Sequence, residues 1–159
     1  MAKKKTIEVE DNRPGIFTKI KQFFTNEATL FVIGLIIFMI SVYAAISLFS
    51  FFFTGAADQS RVEGISLFHW GDVEGIENWT GKRGAVLSNI LMNEWFGVPT
   101  FFLILFVAFI GLRLMKAKYV NLLRYFILFS ILTIWSSLAL AFFFGPLFRE
   151  TAIYIGGKH

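Results

Sequence analysis

Cysteine is absent from this chain of 159 residues. Disulfides and thiolate metal sites are thereby excluded, while the compartment stays open. Proline is scarce, with three in all, so few positions force a helix to break. Charge is missing where it would matter most for transport. No Asp, Glu, Lys, Arg or His lies within the three longest apolar runs. Ionisable side chains inside a span mark ion and proton routes, so their lack weighs against a pump or antiporter. His69 and His159 have no metal-ligand spacing, and no metal site is expected. The carboxylates Asp72, Glu74 and Glu77 read as a solvated acidic loop rather than a cation site. A G-x-x-x-x-G-K-[ST] loop is also missing. "GKRG" at 81–84 is too short for one and lacks the following Ser or Thr, so the chain has no phosphate cradle of its own. Neither a catalytic constellation nor a cofactor site can be read from it, and no enzyme activity is expected.

Apolar side chains are what the sequence has in excess. Hydrophobic residues make up 56% and aromatics 18%, with 21 phenylalanines and a mean hydropathy of +0.65. A soluble domain of this size could not hide so much from water, and membrane insertion is the direct explanation. The first run, Ala28 to Phe53, is uncharged over 26 residues. As a helix it would be ~39 Å long, more than the ~30 Å hydrocarbon core, so tilt or overhang is expected. It is too long for a signal peptide. Val98 to Leu112 is the second run, with Pro99 suited to a first helical turn. Tyr125 to Phe144 is the third. The short link between runs two and three dictates an antiparallel hairpin.

The fold expected is that of an all-α membrane protein. It has three transmembrane helices at about 28–53, 98–115 and 123–145, and an extracytoplasmic loop with a short interfacial or re-entrant helix. Residues 1–27 form a basic tail, with a charged, unstructured start. The "IFTKIKQFF" that follows Pro14-Gly15 is either a surface amphipathic helix or a cytoplasmic extension of the first span. Residues 28–159 form the transmembrane domain, with an outer loop at 54–97 and an outer C-terminal segment at 146–159.

Lysine and arginine set the orientation. Six precede the first run: Lys3, Lys4, Lys5, Arg13, Lys19 and Lys21. Arg113, Lys116, Lys118 and Arg124 sit between runs two and three with no acidic residue among them. The loop 54–97 has only Arg61, Lys82 and Arg83, against six carboxylates. The N-terminus and the short loop are therefore expected in the cytoplasm and the long loop outside.

That outer loop holds "NWTGKRGAVLSNILMNEWFG", Asn78 to Gly97. Gly84 to Phe96 suits a short helix with Asn89 and Asn93 on one stripe. Trp70, Trp79 and Trp95 suit the headgroup region, and Gly81, Gly84 and Gly97 suit tight turns. The segment is expected to fold back over the outer ends of the spans, packed against protein.

With "FFFTGAADQS" before it, a Pro-containing span after it and then "GLRLMK", this stretch resembles the N-terminal membrane domain of the FtsK/SpoIIIE DNA translocases. The matching residues are Asn78, Trp79, Gly81, Gly84, Ala85, Trp95, Phe96, Gly97, Gly111 and Arg113. The family's domain has four spans, so the resemblance implies that a fourth, with a linker and an ATP-driven motor, would follow His159. It also implies a membrane anchor at the division septum of a bacterial cytoplasmic membrane, coupling chromosome segregation to cell division. The implied partners are membrane lipids, other copies of the chain in a hexamer, and further cell-division proteins. DNA would be reached only through the motor that this chain lacks. A small channel or transporter subunit with a re-entrant outer loop is the alternative.

Small residues mark where helices can approach. Ser41 and Ala45 are four apart in the first run, as are Ser137 and Ala141 in the third, and Gly34 and Gly111 add further points. In lipid such residues let backbones meet, within the bundle or between copies.

Overall fold

A computed structural model describes residues 15–18, 25–68, 71, 73–117, 119 and 121–144. Several expectations lie outside them: the basic tail, most of the amphipathic segment, His69, Trp70, Asp72, Lys118 and everything from residue 145 onward.

Helix α1 spans Glu27–Val62. The Asn26 side chain opens it by accepting from the Ala28 N–H at 3.0 Å, and Glu27 in the first turn complements the positive helix end. The helix does not stop at Phe53, where the apolar run closes. It continues through "TGAADQSRV" to Val62, because Asp58 and Val62 along that extension are buried against the 54–97 loop. Its 36 residues make a rod of about 54 Å. Gly64, in the left-handed region at φ 74°, turns the chain away.

Helix α2, Gly81–Asn89, leads directly into a π-helical turn, Ile90–Glu94. The Trp95 N–H closes that turn on the Ile90 carbonyl at 3.0 Å. Gly97, at φ 70°, then reverses the chain, and α3 runs Thr100–Leu114 behind Pro99. Lys116, at φ 56°, ends α3 in the left-handed region. Helix α4 follows as Leu122–Phe144.

The expected hairpin of α3 and α4 is present. Its ring pairs run in opposite chain directions: Phe102 with Phe129 at 6.3 Å, Phe106 with Phe126 at 5.4 Å, and Phe109 with Tyr125 at 5.2 Å. Helix α1 packs on both α2 and α3.

No strand occurs among the described residues. The helices are also inverted relative to those of a soluble protein. On α1, the buried positions include Ser41, Ser47, Ser50, Thr54 and Asp58. The outward positions include Phe31, Ile36, Met39, Ile40 and Phe53. A water-soluble core helix would reverse that assignment. Lipid as the surrounding solvent accounts for it, and the protein is an all-α membrane protein. The apolar contacts fall into two clusters. One joins Ala44, Leu48, Phe51, Met92 and Ile104 across α1, the π turn and α3. The other joins Val62, Ala85 and Val86 with Ile65, Leu67, Ile76 and Ile90. The 54–97 loop therefore has a core of its own and is a folded collar.

Candidate functional site

The collar meets α1 along a row of side-chain-to-backbone hydrogen bonds. Tyr43 donates its hydroxyl to the Thr80 carbonyl at 3.0 Å. One turn further, Ser47 donates to the Gly84 carbonyl at 2.6 Å. The Ser50 hydroxyl accepts from the Trp79 N–H at 3.0 Å. Asp58 Oδ1 accepts from the Glu77 N–H at 2.7 Å. These contacts stretch over about 22 Å of helix. Backbone that leaves regular structure near lipid must find partners inside the protein, and α1 supplies them at helical spacing. Ser41 and Thr54 complete the stripe by donating back to Phe38 and Ser50 carbonyls of the same helix. Each hydroxyl of the stripe is thus engaged, as mortar rather than as a pore lining. At its outer end Asp58 Oδ2 and Gln59 Oε1 are buried without a hydrogen-bond partner.

Asn78 is the hub of the collar. Its Nδ2 donates to the Ser47 carbonyl at 3.2 Å and to Ser88 Oγ at 3.4 Å. Its Oδ1 accepts from the Thr80 N–H at 3.1 Å and the Thr80 hydroxyl at 2.7 Å. A primary amide has two donors and an oxygen with two lone pairs, and this geometry uses all of them. Gly84 faces the hub. It does not form a turn, as its place in the sequence suggested, but lies inside α2. A Cβ there would overlap the Thr80 hydroxyl and come within 3.0 Å of Asn78 Oδ1. Gly81 and Gly97 do occupy the left-handed region, at φ 72° and 70°. Ala85 is buried in the second cluster.

Farther along the collar, Asn93 Nδ2 donates to Asn89 Oδ1 at 2.8 Å. Both are buried, so the stripe the sequence shows is an internal amide pair. Thr100 donates to the Leu91 carbonyl at 2.9 Å, tying the π turn to the start of α3. Trp79 and Trp95 remain exposed. The Trp79 ring stacks on Phe53 at 5.9 Å and tilts against Phe49 at 6.0 Å. Phe96 is half-buried beside Trp95.

The opposite end of the bundle is built differently. Gly34 and Gly111, separate in the sequence, meet where α1 crosses α3. A Cβ on Gly34 would stand 2.7 Å from the Gly111 carbonyl oxygen, and one on Gly111 2.8 Å from that of Gly34. Beyond the crossing, Lys116 Nζ pairs with Glu27 Oε1 at 2.6 Å. Glu27 precedes the uncharged run that begins at Ala28, so this pair lies outside the membrane-spanning stretch. The Lys116 hydrogen bond, reinforced by its charge, holds the Glu27 carboxyl below the usual range. The Arg113 guanidinium lies 4.2 Å from the centre of the Tyr119 ring.

Of the small-residue candidates, Ser41 and Ser137 are buried within the chain and Ala45 and Ala141 are half-buried. Ala45 packs against the first apolar cluster. Sequence reasoning missed Ser47, Ser50 and Asp58 as partners of the collar. Their helical spacing was the available signal, but spacing alone does not say what a hydroxyl will meet.

Among the described residues no group of three or more His, Asp or Glu side chains gathers as a metal site. What the arrangement can do is hold the collar rigidly on a transmembrane rod. No curated protein and no solved structure matches the chain. The family described as the 4TM region of DNA translocase FtsK/SpoIIIE matches residues 27–158, which include α1, the collar and both helices of the hairpin. The conjunction of that match with three apolar helices and a hydrogen-bonded collar has one reading: the chain belongs to the FtsK/SpoIIIE family, as its 4TM membrane region.

Proposed function

We propose that the chain is the membrane-anchoring and assembly domain of a bacterial DNA translocase, one that couples chromosome segregation to cell division. The observation that carries this reading is the hydrogen-bonded weld between the collar and α1. It gives the domain a rigid extracytoplasmic surface, suited to recognition by other division proteins. In this reading the N-terminus and the Arg113–Arg124 loop are cytoplasmic, as the lysine and arginine distribution favours. The domain sits in the cytoplasmic membrane at the septum and assembles with further copies, up to the hexamer its family implies. The ATP-driven motor belongs to the full-length family protein, and this domain holds that motor at the site where DNA must be moved.

The lack of cysteine makes orientation directly testable. A membrane-impermeant maleimide should label E74C in intact cells and should label N121C only after lysis. The reverse pattern overturns the orientation. A fluorescent fusion of the chain should concentrate at the division site, and uniform membrane fluorescence overturns septal placement. Crosslinking in native membranes should give species larger than a dimer, and monomers alone overturn the assembly role.

A further inference from the structure

The non-collar end of the α3–α4 hairpin is positively charged. From Trp95 to Arg149 the sequence contains no acidic residue. The hairpin turn nevertheless holds Arg113, Lys116 and Arg124 among its described residues. Glu27 of α1 reaches this end and is taken up by Lys116, at 2.6 Å. Among the described residues Arg113 and Arg124 have no carboxylate partner.

Their placement is fixed by the hairpin register. The Phe109 and Tyr125 rings meet at 5.2 Å. Arg113 is one helical turn beyond Phe109 and Arg124 immediately precedes Tyr125, so both lie on the turn side of that ring pair, about 4.5 Å apart in height along the helices. Arg113 stacks over Tyr119, whose ring is 85% exposed. An exposed tyrosine at the end of two lipid-embedded helices lies at headgroup depth. The stacked guanidinium is thus held beside an exposed aromatic ring. Guanidinium groups bind phosphate in a two-pronged way that an ammonium does not match. At the boundary of the hydrocarbon, lipid phosphates supply negative charge.

We infer that Arg113, Arg124 and Tyr119 form a binding site for the phosphate headgroup of an anionic phospholipid. The site lies in the leaflet at the hairpin turn, opposite the collar. It rests on the placement of the bundle in the membrane and is independent of septal anchoring. The general bias of basic residues toward the cytoplasm sets topology but predicts no lipid that stays bound. A site made of two guanidinium groups and an aromatic wedge predicts one that does.

Native mass spectrometry of the full chain, released from micelles doped with equal phosphatidylglycerol and phosphatidylethanolamine, distinguishes the two. The intact chain should retain the anionic lipid preferentially. Each arginine should contribute a factor of about five, the worth of one cation at an anionic surface. R113Q/R124Q should retain both lipids equally, and E27Q, which frees Lys116, should not weaken the wild-type preference. R113K/R124K should show an intermediate preference, because charge survives while the fork is lost. R124Q alone, at an exposed position, provides a folded reference should the double variant aggregate, and should lose about one factor of five. Equal retention of the two lipids by the intact chain overturns the site. So does an unchanged preference in R124Q and R113Q/R124Q. A failed septal localisation would leave these results untouched.

Discussion

Helices α1 and α4 are both long and apolar, yet they are held by different physics. Helix α1 is fixed at its collar end by hydrogen bonds and at its other end by backbone contact at Gly34 and Gly111. Helix α4 is held on α3 by tilted and edge-on rings, Phe106 with Phe126 and Phe109 with both Tyr125 and Phe129. Its Thr133 and Ser136 hydroxyls turn back on carbonyls of their own helix. Hydrogen bonds and close backbone contact demand one register. Ring contacts tolerate several. The difference separates a specified pair, α1 with the collar and α3, from a more adaptable third helix.

The comparison can be broken most forcefully at the glycine crossing. Gly111→Val should force α1 and α3 apart, because its side chain would meet the Gly34 carbonyl and the Phe38 backbone. The expected loss is about 3 kcal/mol, at the upper end for overpacking, read as a lower melting temperature in detergent. A variant that melts with the native chain would show that the crossing tolerates separation.

Removing the hub should cost somewhat less. Asn78→Ala strands the Thr80 N–H and hydroxyl and removes the amide donor from the Ser47 carbonyl and Ser88 Oγ, and is expected to cost about 2 kcal/mol. The sharper reading is hydrogen exchange. Protection should fall over residues 77–85 and stay unchanged in α4. Loss of protection in α4 would mean the two regions are not separable.

The ring ladder comes next. Phe109→Leu keeps most of the apolar volume but loses the edge contact with Tyr125, worth about 1 kcal/mol. Introduced cysteine pairs across α3 and α4 should then crosslink in more than one register, while pairs across α1 and α3 keep a single register. One register for both in the variant would erase the proposed contrast.

The smallest effect lies at the Glu27–Lys116 pair. Its carboxyl is depressed in the folded state, so its contribution is present above the ordinary carboxylate range and is lost as pH falls through the lowered value. Both side chains are exposed, and the effect should be slight. Acid titration of the melting temperature should show a small downward step that K116Q removes.

Much of this contrast was legible from the residues alone, and the rest was not for definite reasons. Uncharged runs announce helices in lipid, and the short link after Leu114 requires a hairpin. Gly81 and Gly97 were readable as turns because a positive φ has few other occupants. Gly34 and Gly111 were each visible as close-approach points, but nothing in the chain order says that they face each other. The stretch from Thr54 to Val62 looked like loop because hydropathy fades there. It stays helical because the collar buries Asp58 and Val62, a tertiary effect that no local pattern carries. Gly84 likewise looked like a turn residue, although its lack of a side chain serves the Thr80–Asn78 contact.

The unbroken course of α1 has a mechanical consequence. Asp58, beneath the collar, and Glu27, at the far end, are 31 positions apart on one helix, or about 46 Å. No proline or glycine-serine pair interrupts the rod between them to act as a joint. Whatever leans on the collar therefore moves the opposite end of the same shaft, and a tilt of about 10° swings that end by roughly 8 Å over this length. Contact made on one side of the membrane is delivered to the other as displacement, with no messenger in between.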